Sequence, residues 1–149
     1  RQGRSFAAKD LVYNTNDSLS EFSLDISSAY PEDANLESWN RTIRLNRGKN
    51  VEIIDKYQTG NPAPKVLLTL MTGSAVNLEP GKITLTGEPK KFASGVITYD
   101  PGKLDAVADS VELVDSRMSR SWDTGHLIRI LFRGKSRTNT DNLKLTITP

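Results

Sequence analysis

Apolar and polar residues alternate in short runs along this chain, and no run keeps the three-to-four spacing of an amphipathic helix. Phe22, Leu24 and Ile26 alternate with Glu21, Ser23 and Asp25. The same pattern predicts strands at residues 9–13, 21–27, 75–78, 82–86, 95–100, 111–115, 127–133 and 143–148, with the most apolar one at 65–72. Pro80-Gly81 and Pro101-Gly102 mark turns, and residues 29–38, with Pro31-Glu32-Asp33, read as a loop holding at most one helical turn. Residues 87–95 are the best candidate for a mobile loop, with Lys90 and Lys91 at its tip. About ten short strands separated by Gly, Pro, Asn and Asp predict an all-β fold. The expected architecture is an antiparallel β-sandwich, with a jelly-roll-like barrel as the rival. No composition shift or repeat divides the chain, so residues 1–149 are read as one domain.

Two of these runs break the alternation. Val66-Leu67-Leu68-Thr69-Leu70-Met71 is apolar on both faces. In residues 127–132, Ile128, Ile130 and Phe132 share one face and Leu127 and Leu131 the other. A strand with one solvated face should alternate cleanly. Either these strands are covered on both sides, or their second face docks on a domain outside the chain.

Residues 38–57 predict a β-hairpin. With Gly48 at the turn, Trp39 faces Tyr57, Arg41 faces Asp55, Ile43 faces Ile53 and Leu45 faces Val51. On the other face Arg44 meets Glu52 and Asn40 meets Lys56. Such pairs contribute about 0.2–1 kcal/mol each, and a slip of one residue would lose them all. Arg41, Arg44, Arg47, Lys49 and Lys56 could equally be a grip for an acidic polymer. The pairing favours a structural role for Arg41 and Arg44 and leaves Arg47 and Lys49 at the turn.

Charge does not decide the matter. The chain has 20 basic and 18 acidic residues, a balance too even to point to nucleic acid. No apolar run approaches the length of a membrane span. The absence of cysteine removes disulfides, thiolate metal sites and cysteine nucleophiles. The sequence opens at Arg1 without a visible signal peptide and is read as a piece of a longer protein. Asn16 and Asn40 sit in glycosylation sequons, a pattern common by chance.

Candidate chemistry is thin. His126 is the only histidine, and G-H-L-I-R lacks a nucleophile elbow. One histidine does not make a typical zinc site. Asp105, Asp109, Glu112 and Asp115 lack calcium-loop spacing, and no phosphate-binding glycine loop occurs. Arg117, Arg120, Arg129, Arg133, Lys135 and Arg137, with Trp122 nearby, form a basic region that could meet an acidic sugar. Arg129 and Arg133 could instead pair with acids such as Asp115 and Asp123.

Taken together, D-I-S-S-A-Y-P, S-W-N-R-T-I-R-L-N-R-G-K-N-V-E-I-I-D-K-Y, K-V-L-L-T-L-M-T, I-T-Y-D-P and W-D-T-G-H-L-I-R-I resemble the C-terminal β-sandwich of heparinase II/III-like bacterial polysaccharide lyases. The similarity runs from about Phe6 to Thr148. It implies a periplasmic or secreted parent in which an N-terminal α/α toroid and a β-sandwich flank the catalytic cleft. Such a parent cleaves uronate-containing polysaccharide by β-elimination, using tyrosine and histidine with an asparagine or glutamate that neutralises the uronate. The family's H-x-x-x-D-x-x-x-F-like stretch is absent here. No catalytic residue is carried over, none of Tyr13, Tyr30, Tyr57 and Tyr99 is given a role, and neither metal nor cofactor is implied. The substrate-binding residues stay unknown. The expected function is a non-catalytic sandwich that braces the toroid, against the alternative of a carbohydrate-binding or adhesion module.

Overall fold

The computed structural model describes residues 6–149. The chain is all-β, built of antiparallel sheets with one helix and no closed barrel, so the sandwich expectation holds and the barrel does not. The described residues fall into two compact units. One holds residues 6–65 with Ser136–Thr148, the other Val66–Lys135.

In the first unit, β1 (Lys9–Thr15), β2 (Leu19–Asp25), β3 (Leu36–Asn46), β4 (Asn50–Thr59) and β11 (Thr140–Thr148) lie side by side in that order. The β3–β4 hairpin has the register its sequence predicts, Trp39 to Tyr57, Arg41 to Asp55, Ile43 to Ile53, Leu45 to Val51, Arg44 to Glu52 and Asn40 to Lys56. It extends further than the alternation alone shows, with an irregularity between Leu36 and Ser38. The turn needs a left-handed residue, which Gly48 supplies at φ +71°. Asn46 closes the tip by donating its side-chain amide to Asn50 at 2.7 Å.

One face of this sheet is apolar. A single cross-strand row runs Leu145, Ile53, Ile43, Phe22, Tyr13 across all five strands. Burial falls along it, from 1% exposure at Leu145 to 64% at Tyr13. The expected loop at 29–38 is shorter than read. It holds two 3-10 turns, Ser27–Ala29 and Glu32–Ala34, before β3 begins. Asn35 ends the second at φ 53°. Its side-chain oxygen lies 2.3 Å from where a Cβ on Gly60 would stand, so a larger residue at position 60 requires the Asn35 side chain to move. Asn139 donates to the carbonyls of Thr59 and Gly60 at 3.0 and 2.7 Å and ties β4 to the segment leading into β11.

Within the second unit the strands lie in two layers of three. One is β6 (Ala75–Glu79), β7 (Lys82–Thr86) and β8 (Gly95–Tyr99). The other is β5 (Leu67–Thr72), β10 (His126–Gly134) and β9 (Leu104–Glu112), with β10 central. Ile83, Ile97, Leu104, Ile130 and Phe132 are at most 2% exposed and form its core. Tyr99 of the first layer meets Phe132 of the second edge-on, 5.4 Å between ring centres. Gly81 supplies the left-handed turn between β6 and β7 at φ +78°.

One strand expectation fails in this unit. The strand read at 111–115 is the tail of β9, which starts at Leu104, and Asp115 instead caps helix α1 (Ser116–Trp122). The Asp115 carboxylate accepts from the Arg117 amide at 2.8 Å, as an N-cap should. The D-A-V-A-D-S stretch of β9 carries weak strand propensity. It is extended because it pairs with β10 residue for residue, Asp105 to Arg133 through Val111 to Leu127. The loop at 87–95 is also tied down more than its composition suggests. Lys91 and Phe92 donate to the Glu88 carbonyl, and Ser74, 3% exposed, donates to the Ala93 carbonyl at 2.7 Å. A Cβ on Gly87 would meet the Phe92 carbonyl oxygen at 2.0 Å.

Candidate functional site

The basic hairpin is where sequence places the best chance of a ligand, and its geometry answers the question residue by residue. The Asp55 side chain is fully buried. Its Oδ1 accepts from Arg41 Nε at 2.8 Å and from the Trp39 indole Nε1 at 2.7 Å, and its Oδ2 accepts from Arg41 Nη2 at 3.0 Å. All three donors come from one face of β3, so the hairpin register alone assembles them. Trp39 lies between Tyr30 and Tyr57, with ring centres 6.3 and 5.3 Å away. Trp39 and Tyr57 are 6% and 5% exposed. This is a packed, hydrogen-bonded core and not an open aromatic platform.

On the opposite face Arg44 donates to Glu21 at 2.6 Å and to Glu52 at 3.2 Å, and Lys144 also pairs with Glu52. The result is a charge ladder across β2, β3, β4 and β11. The Glu21 hydrogen bond raises the Arg44 pKa, with Glu52 adding to it. Lys144 first, and then Arg44, hold the Glu52 carboxyl below its ordinary range against the opposing effect of burial. Burial is the largest influence on Asp25 and acts upward. Hydrogen bonds from Ser27 and from the Trp39 amide, with Lys9 nearby, outweigh it and leave Asp25 below its ordinary value. Sequence pairing found Glu52 for Arg44 but not Glu21, because that contact depends on the β2–β3 register.

Arg47 donates to the Ser20 hydroxyl at 2.7 Å and lines an open depression of about 400 Å³ with Ser18, Leu19, Glu21, Arg44, Asn46 and Lys49. Lys49 and Lys56 carry no ion pair among the described residues, and both are exposed. Three of the five hairpin cations therefore serve the fold.

The second basic region resolves in a similar way. Arg129 pairs with Asp109 directly opposite on β9, with Nε 2.9 Å from Oδ1. That lowers the Asp109 pKa and raises that of Arg129. The partners expected for Arg129 and Arg133 lie elsewhere. Asp115 is held by Arg117, whose backbone amide and then side chain lower its pKa, and Asp123 sits 3.5 Å from Lys91. Lys135 pairs with Asp105 at 3.1 Å. Arg120 donates to the Ser116 carbonyl within α1, and Trp122 is 40% exposed. His126 is exposed, and its imidazole makes no hydrogen bond or ion pair among the described residues. Among the described residues no group of three His, Asp or Glu converges to hold a metal ion. No helix is long and apolar enough to cross a membrane.

No protein-family model matches the chain, and no curated protein matches it. Among solved structures it is similar to a heparan sulfate lyase HepC mutant from Pedobacter heparinus. The TM-score is 0.66 and the identity 14%, over 95% of this chain and 21% of that one. The chain thus spans about a fifth of that protein's length. At this identity the likeness is one of fold.

Proposed function

We propose that the chain is a non-catalytic β-sandwich domain of a larger polysaccharide lyase of the heparinase II/III-like kind, where it braces an N-terminal α/α toroid. The parent would act on a uronate-containing polysaccharide by β-elimination in the periplasm or outside the cell. The observation that carries this reading is the outer face of the β5–β10–β9 sheet. Leu68, Ile130 and Phe132 on the inner face are at most 5% exposed, whereas Leu67 and Met71 on the outer face are 50% and 41% exposed. β5 is apolar on both sides and open only at Leu67 and Met71; on β10 Leu127 of the same outer face is 2% exposed and Arg129 pairs with Asp109. The open apolar face of β5 calls for a second partner. The fold likeness to a fifth of a lyase supports the same reading. So does the charge pattern. Arg41, Arg44 and Arg129, which could grip a glycan or polarise a carboxylate, are committed to Asp55, Glu21, Glu52 and Asp109. The competing binding-module reading needs an exposed aromatic platform, and Trp39 and Tyr57 are buried.

The test is a paired melt of a Leu67→Glu, Met71→Glu variant, in this chain alone and in the lyase that contains it. Both side chains are exposed in the chain, so its melting temperature should stay within about 2 °C of wild type, a change of no more than ~0.5 kcal/mol. The parent should lose stability or release the domain to proteolysis. An unchanged parent would overturn the proposed docking face.

A further inference from the structure

The outer face of the β5–β10–β9 sheet is crossed by two rungs of the same make-up. Met71, Arg129 and Asp109 form one, and Leu67, Arg133 and Asp105 the other. Each sets an exposed apolar side chain beside an arginine and then an aspartate. The two are wired differently. In the first, Arg129 and Asp109 satisfy each other, with Nε 2.9 Å from Oδ1. In the second, Asp105 is taken by Lys135, 3.1 Å away and just past the end of β10. Arg133 is left exposed, with no hydrogen bond or ion pair among the described residues. Its charge reaches Asp109 only as the smallest of the influences on that carboxyl. Arg129, Arg133 and Lys135 against Asp105 and Asp109 leave one positive charge over. That charge stands next to Leu67, which at 50% is more exposed than Met71 at 41%.

We infer that the toroid domain docked on this face sets a carboxylate against Arg133. The inference rests on the docking reading above and adds the chemistry of the partner surface. That surface carries apolar side chains over Leu67 and Met71 and an aspartate or glutamate at the Leu67 end. Charge complementarity selects it. A wholly apolar partner covering Leu67 would bury the neighbouring guanidinium without an acceptor, which is costly. A basic partner would oppose like charges. A carboxylate can take the planar fork of arginine through two parallel hydrogen bonds, which fixes position as well as sign. The Met71 rung needs no such partner, because Asp109 already supplies its carboxylate. Apolar contact then holds the domain, and Arg133 sets which way it sits.

The test is limited proteolysis of the lyase that contains the chain, with the rate of domain release followed on gels, beside thermal melts of the chain alone. Arg133→Met should speed release about tenfold or more and leave the melt of the chain within about 2 °C of wild type. Arg133→Lys keeps the charge but loses the fork, and should release at an intermediate rate. Arg133→Gln takes the place of Arg133→Met if that variant fails to fold. Unchanged release in Arg133→Met, while Leu67→Glu with Met71→Glu still hastens it, overturns the carboxylate and leaves the docking face standing. Unchanged release in both overturns the two together. A chain destabilised on its own by Arg133→Met makes the arginine part of the fold and overturns the inference. So does a chain whose melt rises with heparin in wild type but not in Arg133→Met, because the arginine would then serve a glycan.

Discussion

Asp55 carries the sharpest residue-level consequence. It is a fully buried carboxylate whose partners, Arg41 and Trp39, both lie on β3. Asp55→Ala leaves the Arg41 guanidinium and the indole N–H without an acceptor, and the expected loss is about 3–5 kcal/mol by denaturant titration. Glu52→Ala removes one rung of a ladder on the polar face, where Arg44 keeps Glu21, and the loss should be nearer 1 kcal/mol. Arg41→Met with Asp55→Leu removes both charges at similar bulk and should recover much of the Asp55→Ala loss. A glycan grip would instead have Arg41→Met spare stability and weaken binding. The Arg41–Asp55 pair was legible in the sequence because both members sit in one hairpin. Glu21 was not, because its strand joins through a separate register.

Acid should expose the same ladder. Glu52 and Asp25 have pKa values below their unfolded values of 4.5 and 3.8. As pH falls, the unfolded chain takes up these protons first. The stability these groups contribute is therefore fully present above about pH 4.5 and is lost as pH drops through their lower folded values. Glu52→Gln should be less stable than wild type at neutral pH and converge with it in acid. A constant gap from pH 7 to pH 3 would remove the linkage.

At the level of elements, alternation and turn residues located most strands, with boundaries that differ by a few residues. The register of β3–β4 was the best-determined feature, since aromatic, aliphatic and cation–anion pairs all agreed on it. The misses share a cause. β9 is extended because it pairs with β10, and α1 forms because Asp115 caps a two-turn segment too short to show periodicity. The loop at 87–95 looked free because its anchors, Ser74 and the Gly87–Phe92 approach, are contacts no local pattern encodes. Gly87→Ala should accordingly cost more than about 1 kcal/mol in a thermal melt, because the new Cβ meets backbone and not a flexible side-chain end. A neutral Gly87→Ala would show that the loop shifts freely. Asp115→Ala should cost about 1 kcal/mol through the lost cap.

At the scale of the whole molecule, the side chains with chemical potential are spread out or spoken for. His126 is exposed and its ring has no carboxylate or hydroxyl partner among the described residues, and Arg41, Arg44 and Arg129 serve to stitch strands. What the sequence could show of this was the missing constellation, together with two strands apolar on both faces. What it could not show was which face stays open, since that depends on the pairing of β5, β10 and β9. The proposed role of this domain is to support a lyase without performing its chemistry. The direct measurement is ultraviolet absorbance of the unsaturated uronate product when the purified chain is incubated with heparin, heparan sulfate or alginate. No product above a buffer blank is expected. Turnover that survives repurification and disappears in His126→Ala would contradict it.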